Sequence, residues 1–295
     1  MIPPDIRAAD APRPGFTPRV VILDLDGTSI SKGTFIHPRT EAAVRAAAQR
    51  RPVFIATGRQ YISAQPWAQR MGVTEPIVCF EGAVIRTMPD ESGPLGTLLF
   101  ERLLPAEPAV HALRLARENH WHMHAYDGEQ LVSERDTPEL HYYCEIAGVG
   151  YELVPSLEPV LRAGTAKCVC VVQEMEEATR CVHVMRAALG DSAHVTRSLW
   201  RYIEVVDPKV SKAAACAVVC ERLGVNVSEA VFVGDAPNDV DMLDAAGFSV
   251  AVDAGRNPEV LAHADATCAP PTEGGVADVL ETLGLAERRP SSPPA

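Results

Sequence analysis

The sequence predicts an α/β protein with a doubly wound, mostly parallel core interrupted by an inserted α+β module. Three observations predict it. Near both ends of the chain, short continuous apolar runs closed by polar clusters alternate with stretches of helical spacing, the rhythm of parallel strands joined by crossover helices. The middle of the chain mixes several strand-like runs with two helical ones, a texture that suits an α+β insertion. The apolar fraction is mainly Ala, Val and Leu and only 5% of residues are aromatic, as expected of helix–sheet packing.

At 295 residues the chain exceeds a typical domain of about 100–200 residues. We therefore expect residues 17–82 and 207–286 to form the two parts of the core and 83–206 the insertion. Residues 1–16 and 287–295, rich in Pro, Ser, Ala and charge, are expected to be flexible tails.

The first apolar run, Arg19-Val-Val-Ile-Leu-Asp-Leu25, ends at Asp-Gly-Thr and reads as a buried parallel strand. A helix is expected over residues 41–50, a strand over 52–56, a helix over 60–71 and a strand over 77–80. In the insertion, strands are expected at 96–101, 121–126, 129–133, 167–173, 193–196 and 201–205, with helices at 106–118 and 174–189. The core rhythm then returns: helix 210–223, strand 230–234, helix 238–246, strand 248–252 and helix 275–283.

A net charge of −12 argues against an electrostatic grip on nucleic acid or an anionic membrane. Residues 1–18 hold no apolar stretch long enough for a signal peptide or membrane span, so the expected setting is cytoplasmic. The eight cysteines include no Cys-x-x-Cys pair, and several lie in apolar runs. They read as buried reduced thiols, Cys216 and Cys220 included.

Four polar clusters close apolar strands or open helices, and ligands of open parallel sheets bind at the carboxyl ends of the strands. In Asp24-Leu25-Asp26-Gly27-Thr28, two carboxylates at i and i+2 leave a strand on one side before a turn that glycine permits. That spacing suits a nucleophile, Asp24, beside a general acid/base, Asp26; carboxylates at strand ends are also common as plain turn residues. Thr57-Gly58-Arg59 puts a hydroxyl and a backbone N–H at a strand-to-helix turn, fit for phosphate oxygens or for a simple helix cap. Lys209 and Lys212, two of only four lysines, open a helix; one of them could screen the nucleophile from the phosphate it attacks. Gly234-Asp235-Ala-Pro-Asn238-Asp239 gathers two acids and an amide at another strand end. Asp24, a backbone carbonyl and Asp235 would suffice for Mg²⁺, which prefers a few oxygen ligands.

This ordered set resembles the haloacid dehalogenase superfamily, in particular its Cof-like branch with a type IIB cap between the second and third motifs. The resemblance covers nearly the whole folded chain. It implies a Mg²⁺-dependent phosphohydrolase acting on a small phosphorylated metabolite through an aspartyl-phosphate. It also implies Asp24 as nucleophile, Asp26 as acid/base, and Thr57 with Gly58 and Lys212 as phosphate holders. The metal would rest on Asp24, Asp26 and Asp235, with Asn238 and Asp239 around it. Pro271-Thr-Glu-Gly-Gly-Val-Ala277, Asn257 and Glu204 match further family marks. Glu81-Gly82-Ala83 departs from the frequent Asn-Gly-Ala; Glu81 and Arg59 are candidate contacts to the substrate. Ala236 replaces a frequent glycine.

Two other readings compete: a phosphomutase of the same branch, and a non-catalytic phosphometabolite-binding protein. His120, His122 and His124 alternate along an expected strand and would share one face; a polar outer face or substrate-facing wall is the plainer account than zinc. Trp67, Trp121 and Trp200 read as packing residues.

Overall fold

The computed structural model describes residues 16–31, 34–255 and 257–287. The expected tails, apart from Phe16 and Glu287, and Lys32 lie outside the described residues. Five strands form a parallel sheet in the order Ala266–Cys268, Phe248–Val252, Ala230–Gly234, Val20–Leu23, Val53–Ile55. The three central strands, Phe248–Val252, Ala230–Gly234 and Val20–Leu23, are buried at every position, which is why they read as continuous apolar runs rather than alternating ones. One face of the sheet carries Val21, Leu23, Val231 and Val233; the other carries Val20, Ile22, Ala230 and Phe232, against Cys216, Val219 and Cys220 of helix Lys212–Arg222. The doubly wound core follows the sequence.

The strand Ile77–Cys79 is a variation on that theme. It touches the parallel sheet through one bridge, Ala56 to Val78, and then pairs antiparallel with Val84–Arg86, which pairs with Leu98–Glu101. Sheet pairing thus runs across the boundary expected at residue 83.

The intervening chain builds a six-stranded sheet ordered Glu152–Leu153, Gln130–Ser133, His122–Asp127, Cys168–Val171, Tyr202–Val206, His194–Arg197. Successive side chains alternate between its faces. Met123, Ala125, Cys168, Cys170, Ile203 and Val205 pack with residues of helices Ala106–Glu118, Glu158–Ala163 and Met175–Leu189. Tyr126, Val169, Val171 and Tyr202 belong instead to the cluster that holds one face of the parallel sheet, together with Leu140, Tyr143 and Ala147 of helix Pro138–Ala147.

Helix Pro138–Ala147 was not among the expected elements. Its punctuation is nonetheless in the sequence: Thr137 accepts a hydrogen bond from the Leu140 amide at 3.3 Å, Pro138 opens the first turn, and Gly148 closes the helix at φ 67°. Among the described residues no helix is long and apolar enough to cross a membrane.

Candidate active site

The strand Val20–Leu23 delivers Asp24 to the carboxyl edge of the sheet, and the Asp24 amide still donates to Val233 O at 3.0 Å as if the strand continued. The adjacent strand, Ala230–Gly234, delivers Asp235 to the same edge. Between them the chain must turn tightly. Gly27 has φ +87°, and a Cβ there would lie 2.2 Å from Asp235 Oδ2, so only glycine lets the Asp24 turn nest against Asp235. Thr28 Oγ1 donates to Asp235 Oδ1 at 3.0 Å, fixing the carboxylate.

Lys212, the first residue of its helix, is the lysine that reaches this edge. The Ser211 hydroxyl caps the helix by accepting from the Ala214 amide at 3.1 Å. The Lys212 ammonium donates to Asp24 Oδ1 and to Asp239 Oδ1, each at 2.7 Å. Asp239 Oδ2 in turn accepts from the backbone amides of Asp235 and Ala236 at 2.9 and 3.1 Å. Asp239 therefore holds the lysine with one oxygen and the Asp235 turn with the other. Lys209, the other candidate, is exposed.

Asp24, Asp235 and Asp239 each offer an oxygen within 4.8 Å of the others, and all three are buried. Burial pushes the Asp24 carboxyl well up from the ordinary range, with Lys212 pulling the other way. Burial, then the Asp239 charge, pushes Asp235 up to about 7. Burial would lower the Lys212 ammonium, but Asp239 and Asp24 outweigh it and hold it well above the usual value. Three carboxylates facing one ammonium leave a deficit of positive charge that a divalent cation would fill.

Asp26, expected as a third metal carboxylate, is not part of that trio, where Asp239 stands instead. Arg59 grips Asp26 with two hydrogen bonds, Nε to Oδ2 at 2.5 Å and Nη2 to Oδ1 at 2.7 Å. Thr57 is buried at the end of the next strand and its Oγ1 accepts from the Arg59 amide at 3.2 Å. Asp24, Asp26, Thr57, Gly58 and Arg59 line one side of a cavity of ≈ 40 Å³, and Tyr143, Lys167, Ser198, Tyr202 and Glu204 line the other. At roughly 10–15 Å³ per water position, the cavity holds about three waters.

Glu81 sits where its backbone is strained. Phe80 and Glu81 both have positive φ, 50° and 62°, a region that costs bulky residues about 1–3 kcal/mol each. The turn tucks the Glu81 carboxyl beneath Gly58, where a Cβ would lie 1.9 Å from Oε1. Asn238 Nδ2 donates to Glu81 Oε2 at 2.8 Å, whereas the buried Glu81 Oε1 and Asn238 Oδ1 have no partner. Burial and the neighbouring Glu204 push Glu81 up to about 8.

The six-stranded sheet contributes a buried ion pair that the sequence reading missed. Lys167 Nζ donates to Glu204 Oε2 at 2.8 Å and to Gly58 O at 2.6 Å, and Ser198 donates to Glu204 Oε1 at 2.5 Å. A signal was present: Lys167 is a charge directly before an apolar strand in a chain with only four lysines. Asn257, noted as a family mark, donates to Asp235 O at 2.9 Å.

Two of the three histidines, His122 and His124, lie side by side on one strand. His120 lies before the strand at φ 59°, while His122 and His124 are buried. Their rings approach at 3.3 Å, and His122 Nδ1 meets Thr137 Oγ1 at 2.9 Å. Burial pushes His122 down to about 4 and His124 well down, and neither ring lies on an outer face. Trp121 is buried and Trp200 exposed. All eight cysteines are free and buried.

The chain is similar to known proteins over most of its length. The phosphoglycolate phosphatase of Archaeoglobus fulgidus is 28% identical over 273 residues, 92% of this chain and 99% of that protein. The HMP-PP phosphatase of Serratia proteamaculans is 28% identical over 241 residues, 79% of this chain and 82% of that protein. The crystal structure of a haloacid dehalogenase-like hydrolase from Bacteroides thetaiotaomicron superposes with a TM-score of 0.76 at 25% identity, covering 90% of this chain and 99% of that one. A sugar phosphatase of HAD subclass IIB shares the fold, with a TM-score of 0.77 at 19% identity over 90% of this chain and 99% of its own. The family model described as haloacid dehalogenase-like hydrolase matches residues 21–280, and this chain belongs to that family.

Proposed function

We propose that this hydrolase is a Mg²⁺-dependent phosphatase that cleaves a small phosphate monoester through an aspartyl-phosphate on Asp24. The observation that carries the reading is the buried Asp24 carboxylate, held by Lys212 at 2.7 Å at the end of a central parallel strand with a second carboxylate two residues on. A structural carboxylate has no need of that setting, since burying it costs free energy that packing alone would not incur.

In the first half-reaction an Asp24 oxygen forms a bond to phosphorus as the bond from phosphorus to the alkoxy oxygen breaks. The electron pair stays on the leaving oxygen, which takes a proton from the Asp26 carboxyl. In the second half, water attacks phosphorus and gives a proton to the Asp26 carboxylate. The Asp24–phosphorus bond then breaks, releasing inorganic phosphate and restoring both side chains. Thr57 Oγ1, the Gly58 amide and Lys212 supply donors for the phosphoryl oxygens. Asp24 and Asp235, with a backbone carbonyl at Asp26, are the oxygen donors suited to Mg²⁺. The ion, when bound, neutralises charge on the transferring group.

Domain division follows the same logic: residues 17–82 and 207–286 supply the chemistry, strands Val84–Arg86 and Leu98–Glu101 stay with them by sheet pairing, and the six-stranded sheet with its helices closes over the site. Asp24 is only 4% exposed, so the two layers must part for substrate and product to pass. Relatives named for phosphoglycolate and HMP-PP support a small phosphorylated metabolite as substrate. A cytoplasmic setting suits such a metabolite.

The test is inorganic phosphate release from a panel of small sugar, polyol, carboxylate and cofactor phosphates, with and without Mg²⁺, using Asp24→Asn as the blank. Mg²⁺-dependent release that vanishes in the variant is the expected result. Release that survives in Asp24→Asn refutes the assignment, and formation of an isomeric phosphate instead of free phosphate favours a mutase.

A further inference from the structure

The guanidinium of Arg59 spends its five N–H donors in a way that joins two parts of the molecule. Nε and Nη2 hold the two oxygens of Asp26 at 2.5 and 2.7 Å. Nη2 also donates to Ile146 O at 3.1 Å, and Nη1 to Ala147 O at 3.4 Å and Ser63 Oγ at 3.0 Å. Ile146 and Ala147 are the last residues of helix Pro138–Ala147, where unpaired carbonyls and the helix dipole favour a cation. The side chain is 7% exposed, so this is a built contact and no surface pairing. In this conformation the guanidinium offers its donors to protein rather than to a phosphate.

From this we infer that Arg59 is a positioning residue for proton transfer: by gripping Asp26 and the end of helix Pro138–Ala147 together, it orients Asp26 only when the inserted layer is docked. The inference rests on the phosphatase reading above. Two parallel hydrogen bonds to both oxygens fix the plane of the Asp26 carboxyl group, which a single bond would not. Arg59 thus fixes the direction of the Asp26 oxygens when helix Pro138–Ala147 covers the site. Ser63 accepts from Arg59 Nη1 at 3.0 Å and donates to Ala147 O, so it helps fasten the same helix to the Arg59 side chain without touching Asp26.

Leaving-group chemistry provides the test. Acetyl phosphate and 2-phosphoglycolate are both two-carbon phosphates, but acetate departs without a proton, whereas the glycolate alkoxide needs one. Comparing kcat/KM, which covers steps up to phosphoryl transfer to Asp24, removes the later hydrolytic step from the reading. Arg59→Ala is expected to lose at least about tenfold more kcat/KM on 2-phosphoglycolate than on acetyl phosphate, general acid catalysis being worth about 10²–10⁴-fold. Arg59→Lys, which keeps the charge but not the fork, should show the same asymmetry, and serves alone if the alanine variant does not fold. Ser63→Ala, which loosens that docking but leaves the Nε and Nη2 fork in place, should lose less than Arg59→Ala and with the same bias toward 2-phosphoglycolate. Equal losses on both donors in the Arg59 variants, or no loss, overturn the inference while leaving the phosphatase reading intact. A Ser63→Ala loss that is equal on both donors overturns the dependence on docking. Wild-type protein inert toward both donors overturns the phosphatase reading for compact substrates, and the inference falls with it.

Discussion

Two buried lysine–carboxylate centres lie on opposite walls of the same cleft, and they differ in what surrounds them. Lys212 is 1% exposed and shared between Asp24 and Asp239, with Asp235 alongside, so acids outnumber the cation. Lys167 is also 1% exposed but is matched to Glu204 and finishes on a backbone carbonyl, Gly58 O. The first centre carries unbalanced negative charge at the carboxyl ends of parallel strands; the second is close to neutral and fastens the inserted sheet to the core. Burial of an ion pair is therefore no mark of chemistry by itself. Charge imbalance at a strand end is the stronger sign.

The largest effects should come from the unbalanced centre. Asp24→Asn is expected to lower phosphate release to the blank, and Lys212→Met to reduce kcat by about 10²–10³-fold, the scale seen when one donor to a developing charge is lost. Steady-state assays on folded protein check both. Chelation by EDTA should likewise stop turnover, and Mg²⁺ should restore it, because the surplus carboxylates need a divalent partner. Turnover indifferent to EDTA would remove the electrostatic argument.

At the balanced centre the effect should fall on stability. Lys167→Met strands Glu204 in the interior and should cost about 3–5 kcal/mol by denaturant unfolding. The double variant Lys167→Met/Glu204→Leu should recover much of it, and kcat per folded molecule should fall far less than in Lys212→Met. A collapse of kcat at unchanged stability would erase the distinction between the two centres.

Glu81 lies between them and gives a pH signature. Its carboxyl is pushed up to about 8 by burial and by Glu204, against an ordinary value of about 4.3 in the unfolded chain. Between those values the folded state binds the extra proton, so stability falls as pH rises from about 4.3 through 8. Glu81→Gln, which mimics the neutral acid, should flatten that slope, with its largest gain in Tm above pH 8 and little below pH 5. Smallest of all, Lys209→Ala should leave activity unchanged and stability within about 0.5 kcal/mol, as expected of an exposed side chain.

How much of this was legible in the sequence follows the same division. Asp24, Thr57, Lys212 and Asp235 announce themselves because each stands at the end of an apolar run or the start of a helix, and local pattern suffices to bring strand ends together. The Lys167–Glu204 pair depends on register: Val169 stands opposite Glu204, and no local pattern states which antiparallel strands will be neighbours. The grip of Arg59 on Asp26 and on Ala147 O spans 33 and 88 positions, beyond any spacing rule. Helix Pro138–Ala147 was readable from its caps but is obscured by aromatic and polar residues in a short amphipathic stretch. The histidines misled because alternation assigns residues to a face without saying whether that face is covered, and His120 precedes the strand.

The account turns on the covalent role of Asp24, and the most direct measurement is chemical trapping of the intermediate. Protein quenched during turnover with Mg²⁺ and treated with borohydride converts an aspartyl-phosphate to homoserine, which peptide mass spectrometry locates. The account predicts homoserine at position 24 and at no other aspartate. Steady phosphate release with Asp24 unmodified, or homoserine at Asp26 or Asp235, would contradict it.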